Sequence, residues 1–213
     1  MNPRRLFVAS CIALITSAFS FMIRNDISDP LGAAFSLNKE QVGAVMGAAF
    51  LGMAVAMLVF APLCDVLGMG KVLLLAWLCH LTGILGTVFA GEITSQPSVG
   101  SALDRLNFLF GDAPTSYRVL FLATFLVGSG NGLVEIAINP LAATLFPREK
   151  THYLNVLHAW WPGGLIISGL LASFAVTPEL VGPEVYGFKL WQVKMGLVLV
   201  PLFLYGALCL GQK

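Results

Sequence analysis

Six apolar runs, each close to the length of a membrane crossing, leave this chain few ways to fold. They fall at about 6–35, 42–63, 72–90, 119–146, 154–176 and 191–210 of 213 residues. A helix needs about 20 apolar residues to cross a hydrocarbon core roughly 30 Å thick. The runs therefore predict an all-α membrane protein with six transmembrane helices. Composition agrees, with 57% of residues hydrophobic and 11% charged, against roughly a quarter charged in a soluble domain. A net charge of +1 and the lack of any Lys/Arg-rich segment exclude a nucleic-acid partner. The first run follows "MNPRR" but is too long for a secretory signal and lacks a small-residue cleavage site, so a retained helix is expected.

Cys11, Cys64, Cys79 and Cys209 all lie in or beside apolar runs, with no CxxC pair and no His at zinc spacing. They read as small buried apolar residues, with no metal site and no disulfide framework. No G-x-S-x-G, HExxH or Walker pattern occurs, so no catalytic residue and no cofactor is expected.

Six crossings put both termini on one side. Arg4, Arg5, Lys71, Arg148, Lys150 and Lys213 fall on that side, against Lys39, Arg105, Arg118, Lys189 and Lys194 on the other. The bias strengthens when only short loops count, because the 91–118 connection is long and carries Arg105 in its middle. The expectation is an inner-membrane protein with cytoplasmic termini and an extracytoplasmic 91–118 loop, whose 103–110 piece is amphipathic enough to lie at the interface. The long break after the third run suggests two inverted three-helix repeats, the plan of one half of a transporter. A carboxy-terminal six-helix half is the partner this implies. Small residues four apart, Gly43 and Gly47, Ala48 and Gly52, Gly128 and Gly132, Gly164 and Ser168, predict close helix packing in lipid.

One carboxylate breaks the fourth run. "NGLVEIAINP" places Glu135 where insertion costs about 2.5–3.5 kcal/mol, which calls for a structural or functional reason. Asn131, Glu135 and Asn139 are four apart and share one helical stripe, expected to face other helices or a watery cavity. The end of the first run, "RNDISDP", supplies Arg24, Asn25 and Asp26 as possible partners, with Asp29 further out. The fifth run opens "YLNVLHAWWPGG", with Asn155 and His158 three apart, followed by Trp160 and Trp161. His80 has no polar company in its run and reads as packing.

Between the second and third runs, "PLCDVLGMGK" resembles the Gly-x-Leu-Ala-Asp-Arg-x-Gly-Arg-Lys loop of the major facilitator superfamily, with Asp65, Gly68 and Lys71 as the matching conformational latch. Pro62 replaces the first Gly and Val66 the Arg. Two longer stretches carry a narrower resemblance. "NDISDPLGAAFSLNKEQVGAVMGAAFLG" and "GLVEIAINPLAATLFPREKTHYLNVLHAWWPGGLI" are similar to the first-to-second and fourth-to-fifth helix regions of the fucose/galactose/glucose:proton symporters of that superfamily. The second includes the Glu-x-x-x-Asn-Pro pattern at Glu135, Asn139 and Pro140, and the Leu-Asn that opens helix five at Leu154 and Asn155. The resemblance implies proton-coupled symport of a sugar or similar small polar solute by alternating access. It puts the protonatable carboxylates at Glu135 and Asp26, and twelve helices in the whole protein. His158 stands where the family tends to Gln, the Trp160–Trp161 pair is local, and Arg24 precedes the Asn-Asp.

Read from the residues, a protonated Glu135 crosses a dry intermediate that its anion cannot. Asn25, Asn131, Asn139, Asn155 and His158 would hold a polyhydroxylated solute, and Trp160 would cover its apolar face. Two rivals stand beside this: an organic-anion or sugar-phosphate carrier using Arg24 as the anion ligand, and a non-transporting membrane sensor.

Overall fold

A computed structural model describes residues 2–211, so Lys213, counted above among the cytoplasmic charges, lies outside the described residues. Among the described residues, six helices are long and apolar enough to cross a membrane: α1 Pro3–Asp26, α2 Lys39–Phe60, α3 Met69–Val88, α4 Thr115–Leu145, α5 Lys150–Ala175 and α6 Leu190–Cys209.

The helix ends follow local chemistry. Pro3 opens α1, where a missing N–H costs nothing, and Asn2 accepts from the Arg5 amide at 3.2 Å. Asn38 and Gln41 cap α2 reciprocally, at 2.8 and 3.0 Å. Gly68, at φ +83°, makes the turn into α3. The stretch read as one span over 6–35 is two helices, because the chain breaks at Ile27 before a short helix at Ser28–Ala34. α6 is also interrupted, between Gly196 and Leu199, and α5 ends in a π-turn over Leu171–Ala175. At the opposite end of the bundle from these breaks, Arg5 donates to the carbonyls of Ala207, Leu208 and Leu210 at 2.9–3.1 Å. It thereby caps the C-terminus of α6, where a cation is favoured.

Helix pairing carries the inverted-repeat plan. α1 packs on α5 and α6, α4 packs on α2 and α3, and the pairs α1–α4 and α3–α6 also touch. Exchanging each helix with the one three later maps these pairs onto one another, as a pseudo-two-fold axis in the membrane plane requires, while the contact of α4 with α5 breaks the symmetry, having no comparable counterpart between α1 and α2. The central helices α1 and α4 are accordingly the most buried.

Backbone proximity locks α4 in place. A Cβ on Gly128 would overlap the Ala49 carbonyl, one on Gly52 would overlap the Phe125 carbonyl, and one on Gly83 would lie 2.6 Å from the Ala123 oxygen. Gly43 and Gly47, expected to pack in the same way, have nothing within 4 Å of an added Cβ. The small-residue contact on α2 is confined to the stripe that includes Ala48, Ala49 and Gly52.

The 89–114 connection holds short helices at Ala90–Thr94, Pro97–Leu103 and Asn107–Phe110. Buried Arg118 gathers it, donating to the carbonyls of Leu103, Gly111 and Ala113 and to Asp104 Oδ1 at 2.9–3.2 Å. Phe108 and Leu109 remain exposed, as an interfacial segment requires. A hairpin, β1 Glu184–Val185 with β2 Phe188–Lys189, joins α5 to α6.

Candidate functional site

The interlocked glycines of α2 and α4 fix the position of Asn131 and Glu135, one turn apart on α4 and on the side toward Phe21 of α1 and His158 of α5. There they line a cavity of about 420 Å³, together with Phe21, Ala49, Phe50, Met53, His158 and Trp161. Its walls are aromatic: the Phe21 ring lies 5.8 Å from Phe50 and 6.2 Å from Trp161. A second cavity, of about 660 Å³, runs from Met53 and Glu135 along Asn139 and Pro140 to Cys64, Asp65 and Gly68. Glu135 and Met53 border both spaces. The carboxylate thus stands between an aromatic chamber and a path to the loop connecting α2 and α3.

Glu135 is half-buried. Asn139, one turn on, donates through Nδ2 to Glu135 Oε2 at 3.2 Å and to its backbone oxygen at 3.1 Å. The ring of Pro140 removes the N–H that would have reached the Ile136 carbonyl, and Cys64 Sγ lies 3.9 Å from that oxygen instead. Pro162 does the same on α5 to the carbonyl of His158. Each proline therefore loosens a helix beside the site by releasing one backbone acceptor from its helix, and Cys64 takes up the one at Ile136.

The family model of the Major Facilitator Superfamily matches residues 5–211. The chain belongs to the major facilitator superfamily. Members of that superfamily are transporters. No curated protein matches the chain closely enough to count as a relative.

In this major facilitator chain the structure brings together Asn131, Glu135 and His158 around one cavity, and Asn139, Asp65 and Gly68 around the other. Other expected site residues lie elsewhere. Trp160 is exposed, and Trp161 takes the cavity wall in its place. Adjacent helix positions point about 100° apart, and Trp161 is the one three residues from His158. Asn25 and Asn155 are exposed and border neither cavity. Arg24 is 4% exposed and folds back to donate to the Ser20 carbonyl of its own helix at 3.1 Å, again bordering neither cavity. Lys71 is exposed, and no ion pair joins it to Asp65 among the described residues.

Two residues of this major facilitator bundle have partners that the sequence did not suggest. Lys194 on α6 pairs with Asp26 Oδ2 at 2.7 Å, both side chains being mostly buried. Asp26 is thus ion-paired at the end of α1 and borders neither cavity. His80 is fully buried and far from being mere packing: its Nε2 is 2.8 Å from Asn131 Oδ1. The rule that marks Glu135, an ionisable group inside an apolar run, applies equally to His80.

The ion pair makes a prediction of its own. Lys194→Met should destabilise the protein by about 1–3 kcal/mol, less than the 3–5 seen when a fully buried pair loses one member, and Lys194→Met combined with Asp26→Asn should recover part of the loss. Thermal unfolding in detergent checks this. A double variant no better than the single one would mean that the pair does not hold α1 to α6.

Proposed function

We propose that this chain is the amino-terminal half of a secondary active transporter. It couples proton entry to uptake of a sugar or similar polyhydroxylated solute, with Glu135 as the coupling carboxylate. The observation that carries the reading is the position of Glu135 on the border of two cavities, one aromatic and one running to the Asp65 loop. A carboxylate there meets a proton from one space and releases it into the other as the bundle rocks. Asn131, His158 and Trp161 supply the donors, acceptors and ring face that a sugar needs. The similarity of the α1–α2 and α4–α5 sequences to fucose/galactose/glucose:proton symporters supports the same solute class. The second six-helix half would close the face of α1, α2, α4 and α5 on which these residues lie, with both termini cytoplasmic and 91–118 outside. Arg24, turned back on its own helix and outside both cavities, gives the anion-carrier reading no support.

Uptake of radiolabelled L-fucose, D-galactose and D-glucose by cells expressing the full-length protein, with and without a protonophore, tests the proposal. Protonophore-sensitive accumulation of one of them is expected. Accumulation of none would refute the solute class.

Asp65 enters as a latch. Its side chain is exposed at the mouth of the second cavity, which Glu135 joins to the aromatic chamber. Asp65→Asn should slow transport several-fold or more and change solute binding by less than about threefold. A large loss of binding in the detergent-solubilised variant would make Asp65 a ligand instead.

A further inference from the structure

The aromatic chamber carries a polarity that the lining residues alone do not reveal. Asn131 is 6% exposed and presents one edge to the cavity. Its other edge is occupied: Oδ1 lies 2.8 Å from His80 Nε2 and 3.3 Å from Ser20 Oγ. The amide nitrogen makes no hydrogen bond among the described residues, yet it is not sealed off as a buried orphan atom. It faces the cavity, with its protons unused.

An amide can be turned over, and here the two orientations are chemically opposite. With Oδ1 toward His80, the imidazole donates through Nε2–H and leaves Nδ1 bare. With the amide reversed, Nε2 accepts, and Nδ1 must carry the proton. Nδ1 has no partner and the ring is fully buried. An unpaired buried N–H is the rarer and costlier defect. The ring fits here because residue 130 is glycine: a Cβ on Gly130 would lie 2.6 Å from His80 Cδ2.

We infer that His80 is a positioning residue that commits the Asn131 amide to donate into the chamber, so the solute group beside Asn131 must be a hydrogen-bond acceptor. This rests on the reading of the chamber as the solute site. Glu135, one turn further, then faces a neighbouring group of the same solute. A hydroxyl or carbonyl oxygen satisfies Asn131; an ammonium or amide N–H at that point would leave two donors opposed.

The tautomer decides the inference without any solute. The protein has three histidines, so solid-state nitrogen-15 NMR of histidine-labelled protein in liposomes, with the His80 signals assigned by their loss in His80→Gln, reads both ring nitrogens. A protonated Nε2 with a bare Nδ1 is expected. A protonated Nδ1 with a bare Nε2 would mean that the amide is reversed, and would overturn the claim. A second arm uses whichever of L-fucose, D-galactose and D-glucose the wild type takes up. Gln places a donor near Nε2, so His80→Gln should keep KM within about threefold, whereas His80→Leu should raise it about tenfold or more with little change in maximal rate. Equal damage to KM in both variants would overturn the positioning role. If the wild type takes up none of the three sugars, the solute reading falls while the tautomer still judges the hydrogen bond; if His80→Leu does not fold, His80→Gln and the spectra remain.

Discussion

Glu135→Gln in the full-length protein should abolish proton-driven accumulation and leave solute counterflow within a few-fold of wild type. Glutamine has the size of a protonated glutamate and supplies both a donor and an acceptor, so the border between the two cavities keeps its shape and Asn139 Nδ2 still finds an oxygen to replace Oε2 at 3.2 Å. What is lost is the proton that the group would take up and release. The steady-state ratio of solute inside to outside should fall to about one, because nothing then links solute movement to the gradient. Glu135→Ala should damage counterflow as well, since it leaves a polar cavity wall unpaired, at about 1–3 kcal/mol or roughly 5- to 150-fold in affinity. Accumulation and counterflow measured side by side separate the roles. If Glu135 merely tied α4 to its neighbours, Gln would be nearly silent in both assays.

Gly128→Ala should cost more stability than any other single methyl added to the bundle, about 3 kcal/mol or more, above the usual range for overpacking. The added Cβ meets the Ala49 backbone and no flexible side chain, and Gly52 meets Phe125 reciprocally from the other helix. Relief would therefore require α2 and α4 to separate along their whole contact. The separation would also displace Ala49, Phe50 and Met53 from the cavity wall, so activity should fall with stability. Gly47→Ala is the control. It adds the same methyl to α2 with nothing within 4 Å, and should change stability by less than about 0.5 kcal/mol. Thermal unfolding in detergent compares them, and a Gly128→Ala midpoint equal to that of Gly47→Ala would contradict the packing described.

The number of crossings and the polar stripe on α4 were legible because each is a local property: run length for the first, a four-residue spacing for the second. The inverted-repeat plan followed from the long break after the third run. What escaped depends on partners distant in the chain. His80 lies 51 residues from Asn131, and Lys194 lies 168 residues from Asp26, so neither pairing leaves a mark on its own run. Small residues at positions 43 and 47 looked the same as those at 48 and 52, since spacing gives a stripe but not which stripe meets a neighbour. Trp160 and Trp161 could not be ranked for a related reason: adjacent positions differ by about 100°, and the facing helix decides which ring reaches the cavity. Arg24 looked free to bind an anion because nothing in the sequence says that its guanidinium turns back to the Ser20 carbonyl.

Proton movement itself is the most direct test of the account. Liposomes holding the full-length protein and lightly buffered outside would receive L-fucose, D-galactose or D-glucose, with external pH recorded. Transport as proposed requires alkalinisation of the medium on addition of the transported sugar, lost with Glu135→Gln. Sugar entry with no pH change, or a pH change that survives in Glu135→Gln, would contradict the claim that Glu135 couples proton to solute.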